Sequence, residues 1–233
     1  GYREYNPLFS HLFNSYYETI GTQHPRAERG HLSRPTVSEV YSYRAHIDQQ
    51  MTLLLSQADH EHTAEINSRT LLGINHEQQH QELILTDITA IFAYNPLHPA
   101  YKNLPQSQPI NCGPMQWQEF SDGIHAIGHK GKGFFYDNEG PRHKIYLNNY
   151  RLSSRPVDNG EFMAFIEAGA YQQADRWLSD AWTRIQQQNW QSPLYWQRID
   201  GQWWHMTLSG MKKIDEYAPV SHISYYEAIA YAG

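Results

Sequence analysis

His76 and His80 stand four residues apart in NHEQQHQELILTD, residues 75–87. The surrounding run from Glu65 to Phe92 has no Pro, one Gly and many Leu, Ile and Ala, which predicts a helix. On a helix the two imidazoles fall one turn apart, offset by roughly 40° around the axis and about 6 Å apart at Cβ. That is close enough for both to ligate one metal ion. The plainer reading is two polar residues on a solvated stripe. Leu83, Ile84 and Asp87 continue the same face, so the stripe turns apolar and the histidines are expected to be buried. Buried imidazoles need partners, and a metal satisfies two at once.

HEQQH also spells H-E-x-x-H, in which the glutamate serves as general base beside zinc. The extended form of that signature needs a glycine at position 83 and a histidine at position 86, where this chain has Leu83 and Thr86. Another form takes its third ligand from a downstream glutamate, and none lies between Glu82 and Glu119. The zinc-hydrolase reading therefore lacks a third ligand.

The elements that must position the pair are legible upstream. Asn6 as cap, Pro7 at the first helical position and Gly21 beyond the end predict a helix over LFSHLFNSYYETI, residues 8–20. Thr36 and Glu39 predict a capping box opening a second helix to about Ser56. Its buried stripe is expected to be Val37, Val40, Ile47, Met51, Leu54 and Leu55. Between them PRAERGHLSRP carries Arg26, Arg29 and Arg34, either a solvated loop or a carboxylate clamp built on bidentate guanidinium donors. His11, His24, His46, His60 and His62 read as surface or capping residues. Long helices on short connections predict a bundle with the histidine pair inside.

Residues 95–118 change character, with five prolines and almost no charge. Their Tyr, Leu and Trp need somewhere to pack, which predicts an ordered extended connector. From residue 119 the pattern becomes α+β. Helices are expected over residues 159–168 and 225–232, and strands over residues 124–128, 144–150 and 202–207. The tryptophans, seven in the chain, cluster in this half and read as core and turn packing.

Composition bounds the function. The chain has 233 residues, 40% of them hydrophobic and 14% aromatic, enough for two modest domains. A net charge of −6 argues against nucleic-acid or anionic-membrane partners, which need clustered Lys and Arg. Cys112 is the one cysteine, so no intramolecular disulfide forms, which fits a reducing cytoplasm. No apolar run approaches the roughly 18 residues of a membrane span, and no signal peptide is recognisable. Starting at Gly1 without Met and ending inside a helical pattern, the sequence reads as a segment of a longer protein.

Several stretches match a known pattern together and in order. They are LFNSYYE (12–18), RAERGHLSRPTV (26–37), HEQQHQELILTDI (76–88), FYDNEGPRH (135–143), RPVDNGEFMAFIEAGAY (155–171) and PVSHISYYEAIAYA (219–232). In these the chain resembles the ergothioneine-biosynthesis sulfoxide synthases of the EgtB type. The resemblance implies an α plus α+β architecture: a DinB-like helical bundle, then a C-type-lectin-like domain of the formylglycine-generating-enzyme type, incomplete here. It divides the chain into a DinB-like iron-binding region at residues 1–94 that lacks its first helix, a Pro-rich linker at 95–118, and the N-terminal portion of the second domain at 119–233.

It further implies a mononuclear non-haem Fe(II) enzyme that uses O₂ to join the sulfur of cysteine or γ-glutamylcysteine to imidazole C2 of hercynine. His76 and His80 match two of three histidine iron ligands, the third being expected upstream of Gly1. Gln79 matches a residue near the hercynine pocket. Tyr17 and Tyr16 match active-site tyrosines that supply a proton or hydrogen bond, and Arg26 and Arg29 match positions that clamp the thiol substrate's carboxylates. With a ligand missing, these residues alone are expected to hold iron weakly and to be inactive. Three rivals stand beside this reading: an ovothiol-type synthase attaching cysteine to C5 of histidine, a DinB-type thiol-dependent transferase needing no O₂, and a lectin-like binding module with a structural metal.

Overall fold

The computed structural model describes residues 2–14, 19, 21–57, 61–105 and 108–233. They form two compact units, residues 1–74 and residues 75–233. No described helix is long and apolar enough to cross a membrane.

In the first unit, α1 (Phe9–Leu12) is much shorter than the expected 8–20 helix. Asn6 is not its cap: the cap position is Leu8, with no side-chain cap bond, and Asn6 Oδ1 accepts from Leu8 N at 2.9 Å in the turn before the helix. The helix stops at Phe13, and the Asn14 side chain turns away to donate to the Gly21 carbonyl at 3.1 Å. An Asn amide satisfied outside the helix competes with the next helical turn. A 3₁₀ turn over Arg26–His31 follows, then α2 (Val37–Gln57). The capping box is made as expected. Thr36 N donates to Glu39 Oε2 at 2.8 Å, and Glu39 N donates to Thr36 Oγ1 at 3.3 Å. Phe9, buried, packs edge-on against Phe13 and Tyr43 at 5.1 and 5.2 Å, docking α1 on α2. His46 donates to the Arg3 carbonyl at 2.9 Å, tying α2 to the N-terminal segment.

The apolar stripe of α2 is not buried. Val37 is 72% exposed, and Val40, Leu54 and Leu55 are exposed too. Among the described residues of this unit, the ring contacts onto α2 come from Tyr2, Tyr5, Phe9 and Phe13, and they fall on Tyr43 and His46. A helix buries its stripe against a neighbour, not by propensity.

α3 (Thr63–Tyr94) is a continuous helix containing the predicted 65–92 run. It ends where Asn95 precedes Pro96, and Asn95 Oδ1 accepts from Leu97 N at 2.9 Å. The connector is anchored at both ends. The N–H groups of Tyr101 and Lys102 share the Leu208 carbonyl at 2.8 and 3.1 Å, and Gln116 exchanges bonds with Ser154.

The second unit is mixed helix and sheet. β1 (Trp117–Phe120) pairs antiparallel with β4 (Tyr150–Ser153), and β2 (Gly123–Ile127) with β3 (His143–Leu147). The expected single strand over 144–150 is thus two strands. It breaks at Asn148-Asn149 because β3 and β4 pair with different partners. β5 (Trp196–Ile199), β6 (Gln202–Thr207) and β7 (Gly210–Lys213) form an antiparallel meander. Helices α4 (Asn159–Glu167) and α6 (Tyr225–Ala232) occur as expected, each opened by a capping box. α5 (Ser179–Gln188) was not expected.

The core lies between α4, α5 and α6. Tyr171, Trp177, Ala181, Ile185 and Ala230 pack together, with Phe165, Trp182 and Trp190 around them. The tryptophan expectation holds for Trp177 and Trp196 and fails for Trp117, which is 58% exposed. The RPVDNGEF stretch is a latch. Arg155 donates to both carboxylate oxygens of Glu161 at 2.8 and 2.9 Å, and Asp158 caps α4 by accepting from Glu161 N. The guanidinium holds the Glu161 carboxyl below the usual carboxylate range.

Candidate metal centre on the third helix

α3 presents His76 and His80 one turn apart, as the spacing requires. Their ring centroids are 4.6 Å apart and the planes meet at 79°. Two imidazoles on one ion at about 2.1 Å have centroids about 3.2 Å from it, so ligands at right angles lie about 4.6 Å apart. That separation matches two adjacent positions around a divalent ion, and an ordinary edge-on ring contact has the same separation. Among the described residues no group of three or more His, Cys, Asp or Glu could hold a metal. The described residues supply two ligands and not a closed site.

The expected burial of this face is overturned. His76 is half-buried and His80 exposed, while Leu83 and Ile84 are 55% and 56% exposed. No described residue of α3 is buried. An apolar stripe on a helix states what the helix can bury, and the described residues leave Leu83 and Ile84 uncovered.

The opposite face is the one this unit uses. Glu82, Leu85, Thr86 and Thr89, roughly 150° around the axis from the histidines, line a cavity of about 320 Å³. Tyr195, His205, Met206 and His222 form its other wall. α3 thus turns its 82–89 face to the meander and its histidines away from it.

Of the other predicted residues, Gln79 is exposed on α3, flanking the histidine stripe. Arg26 and Arg29 have their backbone in the 3₁₀ turn, and their side chains lie outside the described ones. Tyr16 and Tyr17 lie outside the described residues. The structure brings together His76 and His80.

The His205–His222–Tyr195 cluster was missed from sequence. Burial pushes the His205 pKa down, helped by the nearby His222, and burial also lowers His222, which keeps one flank in solvent. Glu82 shares the cavity, and Asp87 acts on Tyr195. An imidazole whose folded pKa lies below its unfolded value stabilises the fold above about pH 6.5, and that contribution is lost as pH falls toward the folded pKa. The urea midpoint is therefore expected to fall between neutral and mildly acid pH, and His205→Gln to flatten that fall. An unchanged slope in the variant would show the acid loss arises elsewhere.

Comparison with known proteins places this architecture. Over 210 residues the chain is 28% identical to the hercynine oxygenase of Mycolicibacterium thermoresistibile, covering 90% of this chain and 45% of the relative. It is 27% identical to that of Mycolicibacterium smegmatis over 210 residues, 90% of this chain and 47% of the relative. With that of Mycobacterium tuberculosis it shares 28% over 159 residues, 68% of this chain and 37% of the relative. The chain thus spans less than half the length of the curated relatives it matches. Residues 98–233, which hold every described strand and helices α4 to α6, match the sulfatase-modifying factor enzyme 1-like domain, and the chain belongs to that family.

Proposed function

We propose that the chain belongs to a non-haem Fe(II), O₂-dependent sulfoxide synthase of ergothioneine biosynthesis. It joins the sulfur of cysteine or γ-glutamylcysteine to C2 of the hercynine imidazole. The observation that carries this is the spacing of the His76 and His80 rings, 4.6 Å between centroids. It occurs in a chain similar over 90% of its length to proteins named hercynine oxygenase. Residues 1–94 are read as a DinB-like iron-binding bundle, residues 95–118 as a linker, and residues 119–233 as a domain of the formylglycine-generating type.

In the net reaction the thiol S–H and the imidazole C2–H are lost and a C–S bond forms. One atom of O₂ ends in the sulfoxide, the other in water. Bound there, Fe(II) would supply the redox chemistry that couples the thiol to O₂. His76 and His80 would hold it, with a third ligand from outside the described residues. Arg26 and Arg29 orient the thiol substrate by its carboxylates. Gln79, beside the second ligand, lies near the hercynine pocket. Tyr17 and Tyr16 hold a donatable phenolic proton, since a phenol near pKa 10 is protonated at neutral pH.

The test uses the natural-length protein loaded with Fe(II) under nitrogen, given hercynine and each thiol in turn, then O₂. A C2 sulfoxide adduct by mass and NMR is expected. Turnover without O₂, or a C5 adduct of histidine, would replace this reading with one of its rivals. The 233 residues alone are expected to bind iron weakly, and tight stoichiometric iron in a metal analysis would contradict the need for a further ligand.

A further inference from the structure

A second cavity, of about 680 Å³, lies on the far side of the Tyr195–His222 pair, between the C-terminus of α5 and the start of α6. Three of its lining residues, Asn189, Tyr195 and His222, are non-glycine residues in left-handed backbone, with φ of 50°, 72° and 62°. Asn189 is at ease there as the cap ending α5. His222 belongs to a residue type enriched there, and Tyr195 does not. The Tyr195 conformation is held by its surroundings: its ring meets the His222 ring edge-on at 4.9 Å, and Leu194 N, one residue back, donates to the His222 carbonyl at 3.2 Å. Strained backbone that the surroundings over-determine gathers at ligand sites.

The lining also states which ligand. No Lys or Arg faces the cavity among the described residues, so nothing there holds a phosphate or carboxylate. Its one carboxylate, Glu227, is buried and engaged by the Tyr171 hydroxyl and by Ser224 N at 2.6 Å, so it offers no free charge to a cation. What remains is neutral. Trp190 Nε1 donates to Gln188 Oε1 at 2.9 Å, and Gln191 Nε2 donates to Asn189 Oδ1 at 3.3 Å. These bonds orient three carboxamides and leave the Gln188 and Asn189 amino groups and the Gln191 carbonyl without a partner among the described residues. Donors and acceptors side by side on neighbouring exposed carboxamides suit hydroxyls, which need both. Trp190 and Tyr195 add aromatic walls for an apolar ring face.

We propose that this cavity binds an uncharged, polyhydroxylated ring, a neutral saccharide. The probes are the methyl glycosides of glucose, mannose, galactose and N-acetylglucosamine, titrated into the natural-length protein and followed by saturation-transfer NMR. At least one is expected to bind with a dissociation constant of about 1 mM or tighter. Gln188→Leu and Gln191→Leu, both at exposed positions, are expected to weaken it roughly tenfold each with the urea midpoint unchanged. Trp190 packs against the core, so Trp190→Phe serves as the aromatic variant that keeps the fold. Failure of all four glycosides to saturate by about 10 mM, or full affinity in the two Gln variants, would overturn the assignment.

Discussion

His80→Ala is expected to lower sulfoxide formation by the natural-length, iron-loaded protein by at least about 10³-fold, roughly 4 kcal/mol of transition-state stabilisation. His76→Ala is expected to do the same. The fold should not notice the first change. His80 is exposed, and substitutions at exposed positions away from special features stay within about 0.5 kcal/mol. The variant therefore separates a catalytic role from a structural one. If the histidines held a structural metal, the urea midpoint would drop along with the activity. Glu77→Gln is the control. Glu77 is an exposed neighbour on the same helix, and its loss should leave product formation within a few-fold of the parent. In a zinc hydrolase that glutamate would be the general base and its loss would be as severe as losing a ligand.

Phe162→Ala is expected to carry the largest stability cost, about 3–5 kcal/mol. Phe162 is 1% exposed and stands among three rings: Phe165 at 5.2 Å, Trp196 at 6.4 Å and stacked Tyr231 at 5.6 Å. These come from α4, β5 and α6, so the ring joins one helix to the meander and to the closing helix. Truncation leaves a void that Trp196 cannot fill while it stays packed on Trp203 at 5.8 Å. Against a typical stability of about 5–15 kcal/mol, such a loss would leave the domain marginal. Equilibrium urea unfolding followed by tryptophan fluorescence measures it. A cost below about 1.5 kcal/mol would mean the site collapses to fill the void.

The features read correctly from residues alone are those whose cause is local. Thr36 with Glu39 made its capping box, the 65–92 run lies within α3, and helices formed at 159–167 and 225–232 where they were expected. The i, i+4 placement of His76 and His80 is of the same kind. Helix geometry fixes it within one turn, so no distant residue is needed to bring those rings to 4.6 Å.

What failed depended on partners far along the chain. α5 is the exception: Ala181, Trp182 and Ile185 recur at helical spacing in a stretch otherwise rich in Gln and charge, a stripe that was legible and passed over. β1 and β4 are brief, and they exist because they pair with each other across a long intervening stretch of chain. The stripes on α2 and α3 carry the right spacing, yet spacing says only which residues would be buried, not whether a neighbour arrives. Tyr195 holds left-handed backbone that its bulky residue type disfavours, and only the loops packed around it impose it. The sequence by itself thus determined helices α2, α3, α4 and α6, the spacing of the histidine pair and the family pattern, because hydrogen bonds and rotations within a few residues set them. Tertiary structure decided which face of α3 meets the meander, where the strands break, and that a strained Tyr195 stands between neighbouring cavities, because burial and strain come from contacts between distant segments.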